Sequence, residues 1–360
     1  VSRNAPDPLP QRKSRRLFAG VAMAACLLMV SRLPAADRFS TASRNPGPRV
    51  RVVTVQDAGA TEAFRPLPDR IERMVERGVK AVTGRATSKE AWLSLVRPDD
   101  VVGIKVYAAP GPNSGTRPAV AAAVAKSLIA AGVPANQVVV WDRSATDLQN
   151  AGFFALAQEL GVRVESSAAA GYDPTNYYDT PLIGNLVWGD LEFGKTGEGV
   201  GRKSFVSKLV SQELTKIINL TPLLNHNLAG VSGHLYGLAM GSVDNWLRFE
   251  SDPGRMAKAV PELYALPSLG DKVVLNITDA LICQYEGGQR GLLHYSTVLN
   301  QLRFSKDPVA LDVLSVKELD RQRRAARAPY VKPNFELFAN ASLLELGVND
   351  LTRIQVETLK

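Results

Sequence analysis

Residues able to do chemistry crowd into one stretch of this 360-residue chain, 219–244 (NLTPLLNHNLAGVSGHLYGLAMGSVD). It holds two of the three histidines, His226 and His234, with Asn225, Asn227, Ser232 and Asp244. Imidazoles serve as acid–base groups and metal ligands near neutral pH. Two histidines eight residues apart fall on roughly one face of a helix, and with Asp244 or His294 they could complete a nitrogen and oxygen metal site. His226, His234 and Asp244 are thus candidate metal ligands, and Asn225 and His234 candidate cofactor contacts. Packing accounts for each imidazole equally well, as a hydrogen-bonded core group.

Lys105 lies inside VGIKVY, a strongly apolar run. A lysine seldom buries its ammonium alone, so it either snorkels or meets a carboxylate or an anionic ligand. Asp142 directly follows VVVW, and Asp279 lies within VVLNITDALI. Each is a cleft carboxylate or the cap of a neighbouring turn or helix. The expected catalytic set is Lys105 as positive charge, His226 as ligand or general acid–base group, and Asp279 as its orienting carboxylate. Cys283 reads as inert core. The run 189–196 (GDLEFGKT) satisfies the phosphate-loop pattern. However, Asp190 and Glu192 would repel phosphate and the following glycines do not propagate a helix, so a Gly-rich hairpin is the better reading. The basic run 321–327 (RQRRAAR) ends a helix, where cations complement the macrodipole.

These groups must be positioned by strands and helices that the patterning makes visible. Strand-like runs at 50–55, 100–107, 138–141, 162–165, 216–220, 273–282 and 299–304 alternate with helical segments at 67–83, 117–131, 146–160 and 308–327. Such alternation predicts an α/β fold, a mainly parallel sheet with flanking helices. Residues 50–170 are expected to form a first lobe and 213–360 a second. Between them, 171–212 is a Gly-rich hairpin or lid insertion. Ligands of open α/β sheets gather beyond the carboxyl ends of the strands, which places the cleft between the lobes.

The chain's formal charge of +8 suggests an anionic partner until it is located. Residues 1–42 carry seven Lys or Arg and two Asp, five of those eight net charges, which removes the case for nucleic acid. A basic segment ending in Lys13-Ser14-Arg15-Arg16 precedes an uncharged apolar run of twelve, 19–30. That run is too short to cross a bilayer of ~30 Å at ~1.5 Å per residue. The segment reads as a secretory signal, and SRRLFAG resembles a twin-arginine export signal, with 43–49 as linker. The expected location is periplasmic or otherwise extracytoplasmic, with the export machinery as partner and no transmembrane helix in the mature chain. Two cysteines exclude a disulfide framework and an iron–sulfur cluster held by four thiolates.

VGIKVY followed by Thr116-Arg117-Pro118, the 216–244 segment, TDALICQYEGG, SKDPVALD and LLELGVNDLTRI together resemble the bacterial family named domain of unknown function 362. The resemblance runs from about residue 50 to residue 356. Exported members are common in that family, and its ferredoxin-like cysteines are missing here. Lys105, His226, Asp279, Asp307 and Asp312 match its pattern. Leu224-Asn225-His226 and Tyr236-Gly237 depart from it, since lysines usually stand there. The resemblance implies membership without a reaction. The residues themselves favour a cleft for a small anionic ligand or a metal-centred cofactor. The alternatives are a non-catalytic periplasmic binding or accessory protein and, third, a nucleotide-dependent enzyme.

Overall fold

Short β-branched runs and Ala-rich segments alternate because each run is too short and apolar to stand alone and must be covered on both faces. The computed structural model describes residues 49–180, 201–329 and 331–360. The expected signal, most of the linker and the 189–196 loop lie outside these residues. The chain enters through β1 (Val50–Gln56), a small ribbon of β2 (Thr61–Glu62) and β3 (Arg65–Pro66), and helices α1 (Pro68–Thr83) and α2 (Ser88–Leu93). A crossover series follows: β4 (Val102–Lys105), α3 (Pro118–Ala131), β5 (Val138–Asp142), α4 (Ala145–Asn150), α5 (Phe153–Leu160) and β6 (Arg163–Ser166). Helix α3 stops at Gly132, whose φ of 114° suits only a residue without Cβ. The helix expected over 146–160 is instead two, because Gly152 turns left-handed at φ 92° between them.

After the short α6 (Ser167–Ala170), β7 (Tyr172–Asp179) and β8 (Lys203–Ser207) pair antiparallel. The chain then forms β9 (Lys216–His226), β10 (Gly230–Val231), α7 (His234–Gly241) and α8 (Pro253–Tyr264). It ends with β11 (Val273–Gln284), β12 (Ser296–Ser305), α9 (Pro308–Ala325), α10 (Phe335–Leu343) and β13 (Ile354–Leu359).

The main sheet has the order β13-β1-β12-β11-β9-β4-β5-β6, with β10 beside β9. Strands β11, β9, β4, β5 and β6 run parallel, and β12 is antiparallel to both its neighbours. This is a mixed, mostly parallel α/β sheet. The segments expected as two lobes contribute adjacent strands to it, because β9 pairs with β4 on one side and β11 on the other, and the described residues form one compact unit. One face is covered by α1, α2, α3 and α5 over Val53, Ile104, Val140 and Ile218. The opposite face is covered by α7 to α10 over Val139, Trp141, Ile217 and Leu223.

Strand order reverses beside β4: the chain proceeds outward from β4 to β6, then returns at β9 and proceeds the other way. Such a reversal opens a crevice at the carboxyl ends of the strands. Strand β9 runs six residues beyond its expected end. Within that extension Pro222 has no N–H to give, and the facing register jumps from Asp279–Pro222 to Cys283–Leu223, a bulge in β11.

Candidate functional site

The expected catalytic set does not assemble. Lys105 is fully buried, and its Nζ reaches Asp142 Oδ1 at 2.7 Å and the Val106 carbonyl at 2.6 Å. Asp142 also accepts from the Ala108 and Arg143 amides, both at 2.8 Å, so the pair clamps the ends of β4 and β5 together. Burial pulls the Lys105 pKa down, and the Asp142 charge opposes it. Gly241 packs directly on this ammonium stem.

Asp279 serves Arg117 instead of His226. Its carboxylate pairs with the Arg117 guanidinium at 2.8 Å, accepts the Arg117 amide at 3.0 Å and so anchors the start of α3. Beside it, Thr116 accepts from the Tyr107 amide and donates to the Leu220 carbonyl. Lys105, His226 and Asp279 therefore belong to three separate networks, each set by a partner distant in sequence.

The expected metal ligands also diverge. His234 opens α7, its amide donating to Asp312 Oδ1 at 2.7 Å and its Nε2 lying 2.9 Å from Thr278 Oγ1. Burial lowers its pKa to about 3, so it is a neutral core imidazole, and burial raises the facing Asp312 to about 7. Asp244 accepts from the Phe205 and Asn245 amides and holds the chain to β8. Among the described residues no three His, Cys, Asp or Glu side chains converge on a point where a metal could sit. Asn225 accepts from the Gly288 amide at 3.0 Å and shapes the 285–292 loop. Gln284 completes that loop, donating to the carbonyls of Glu286, Gly288 and Arg290. Cys283 is buried, its thiol pushed up to about 12 by burial. Three arginines of the basic run are committed: Arg321 pairs with Glu318, Arg324 with Asp320 and Arg323 with Glu286.

His226 does stand in a polar cluster, at the carboxyl end of β9. Its ring lies 4.2 Å from the Tyr236 ring, which meets Tyr107 edge-on at 6.3 Å. Nδ1 accepts from the Leu228 and Ala229 amides at 3.2 and 3.0 Å. Nε2 lies 2.6 Å from the Gln289 amide and 3.7 Å from Glu250 Oε2. Tyr236 Oη and Glu250 Oε1 share a hydrogen bond at 2.6 Å. Burial lowers the His226 pKa to about 4 and raises those of Tyr236 and Glu250.

The cation of this cluster is Arg143. Its guanidinium stacks 3.7 Å over the centre of the Trp246 ring, and its charge acts on Tyr107, Tyr236 and Glu250. Among the described residues its guanidinium N–H groups have no hydrogen-bond or ion-pair partner. Nearby Ser232 is wholly buried beside the Tyr107 phenol, close enough to act on its ionisation, yet among the described residues its hydroxyl completes no hydrogen bond of normal geometry. Arg143, Trp246, Glu250 and Gln289 are partly exposed and connect the cluster to solvent.

Sequence reasoning found His226 and missed Arg143, Tyr236, Glu250 and Gln289. Arg143 had a usable signal, as a cation just past a strand end. Tyr236 had another, as a departure from the expected lysine. Glu250 and Gln289 lie in connecting segments with no pattern to single them out.

A family model described as a domain of unknown function (DUF362) matches residues 102–317, more than half of the chain. No curated protein matches. Among solved structures, a crystal structure of a Thermotoga maritima protein from a structural genomics programme aligns at 11% identity and a TM-score of 0.41. The alignment covers 74% of this chain and 61% of that one, so this chain spans about three-fifths of the other's length.

Proposed function

The chain belongs to the domain of unknown function 362 family, and on that footing we propose that the cluster around Arg143 and His226 binds a small anionic molecule beyond the strand ends. The observation that carries this reading is the contrast between neighbours. Lys105 gives its charge to Asp142, whereas Arg143 holds a half-buried guanidinium against Trp246, and its donors have no partner among the described residues. A guanidinium in a partly desolvated pocket favours a carboxylate or phosphate, which its fork grips through two parallel hydrogen bonds. The Ser232 hydroxyl, buried beside the Tyr107 phenol, adds a polar group to the same cluster. The donor geometry favours this over a metal centre, because among the described residues no three His, Cys, Asp or Glu side chains share a point. Export along the twin-arginine route and an extracytoplasmic location belong to the same reading, supported by the pattern of residues 1–42.

Calorimetric titration and thermal shift with inorganic phosphate and with malonate test the reading. Wild-type protein should bind at least one of them saturably. Arg143→Gln should weaken that binding by about tenfold or more, in line with the ~1.5–3 kcal/mol of a charged hydrogen bond. Equal binding by Arg143→Gln, or none of either probe by wild type, would overturn it.

A further inference from the structure

Hydrogen bonds around His226 leave little freedom in where the protons sit. Two backbone amides point at Nδ1, from Leu228 and Ala229, and a backbone amide only donates. Nδ1 therefore carries no proton. A neutral ring then bears its proton on Nε2, and an imidazolium would force an N–H against two others.

The Gln289 Nε2 position lies 2.6 Å from His226 Nε2 and 2.8 Å from Tyr236 Oη. With Nε2–H on the imidazole, an amide NH2 there would set donor against donor. Oxygen and nitrogen of a carboxamide are distinguished by the bonds they complete, and 2.6 Å suits an N–H to an oxygen better than an N–H to a nitrogen. The amide oxygen belongs in that position. It then faces the Tyr236 hydroxyl and must receive that proton, because two oxygens 2.8 Å apart without a proton between them repel. Tyr236 can no longer donate to Glu250 Oε1, only 2.6 Å away on its other side. The proton of that short contact must come from Glu250.

We propose that these bonds form a chain of single polarity in which His226 is a fixed neutral Nε2–H donor, Gln289 accepts from both His226 and Tyr236, and Glu250 is held as a protonated acid. His226 is then a positioning residue and hydrogen-bond donor, and the proton available to a ligand sits on Glu250. The charged and titratable groups facing Glu250 are Tyr236 from α7, His226 from β9 and Arg143 from the end of β5. Burial favours the neutral acid and Arg143 opposes it. A neutral Glu250 leaves the Arg143 charge uncancelled, so the cluster suits an anion that also presents a proton-accepting oxygen or nitrogen. On proton transfer Glu250 becomes a carboxylate and the ligand atom gains the proton, so the charge stays balanced beside Arg143. The protonation pattern does not depend on the anion reading, since it belongs to the protein alone.

Spectroscopy of the full chain without ligand tests it. With 15N-labelled histidine, His226 should give the neutral Nε2–H pattern from pH 5.5 to 8.5 without titrating. At pH 6 the infrared difference between wild type and Glu250→Gln should show a protonated carboxyl stretch in the wild type. An Nδ1–H tautomer, an imidazolium in that range, or carboxylate bands alone from Glu250 would overturn the proposal. The histidine measurement uses wild-type protein, so it stands even if Glu250→Gln fails to fold. Failure of phosphate or malonate to bind would overturn the anion reading and leave this one intact.

Discussion

At the ends of β4 and β5, Lys105 and Asp142 satisfy one another inside the protein, and every contact they make is to the chain itself. Arg143, the next residue, stacks its guanidinium on the Trp246 ring, and among the described residues its N–H groups meet no hydrogen-bond or ion-pair partner. The same division separates the histidines. His234 is enclosed by Thr278, Thr221 and the Asp312-capped start of α7, whereas His226 reaches the surface through Gln289 and Glu250. Buried ionic groups are thus of two kinds here, those that hold strands and helices in register and those left with capacity for something else. Residue type does not tell them apart; partnering does.

The sharpest way to break this division is to remove a partner from the closed pair. Asp142→Ala leaves the buried Lys105 ammonium without its counterion and should destabilise the protein by ~3–5 kcal/mol. Lys105→Met combined with Asp142→Ala should recover much of that loss, because an apolar side chain suits the site once no charge needs compensation. Chemical denaturation of the three proteins decides it. A small loss in Asp142→Ala would move Lys105 into the open group.

Asp312 tests the closed network around His234 through pH. A carboxyl whose folded pKa is raised to about 7 binds its proton more tightly when folded. Its contribution is complete below the unfolded value near 4 and is withdrawn as pH rises through about 7. Relative to Asp312→Asn, the wild type should lose on the order of 3 kcal/mol between pH 4 and 8, measured as the difference between two denaturation series. A flat difference would show that the two α7 amides hold Asp312 ionised.

Much of this architecture was legible in the chain. Short strands of four to seven residues bearing β-branched side chains and helices closed by Gly132 and Gly161 announced the crossover series, because their signals are local. The site was legible only in part. Lys105, Asp142, Asp279 and His226 stood out by type, but the partner of Asp279 is Arg117, 162 residues away, and His226 meets Gln289 across 63. Periodicity carries no information at that range. The extension of β9 to His226 was hidden by Pro222, which ordinarily ends a strand and is accommodated here by the facing bulge.

A milder perturbation reaches the closed pair from α7. A Cβ on Gly241 would lie 2.5 Å from Lys105 Cε and 2.8 Å from its Nζ, and that buried ammonium is held in place by Asp142 and the Val106 carbonyl. Gly241→Ala should cost ~1–3 kcal/mol in thermal or chemical denaturation, the usual price of overpacking. It should leave phosphate or malonate binding at Arg143 within about twofold, because the displaced group belongs to the other network.

The smallest expected effect on stability is the most informative for function. Arg143 is partly exposed and its guanidinium has no polar partner among the described residues, so the fold gains from it chiefly the stacking on Trp246. Cation–π contacts at partly exposed sites contribute ~0.5–1 kcal/mol, and Arg143→Gln gives up only that. Its denaturation midpoint should therefore sit close to wild type while its anion affinity falls. If Arg143→Gln instead destabilised the protein as strongly as Asp142→Ala, the guanidinium would be structural, and the boundary between closed and open groups would run beyond residue 143.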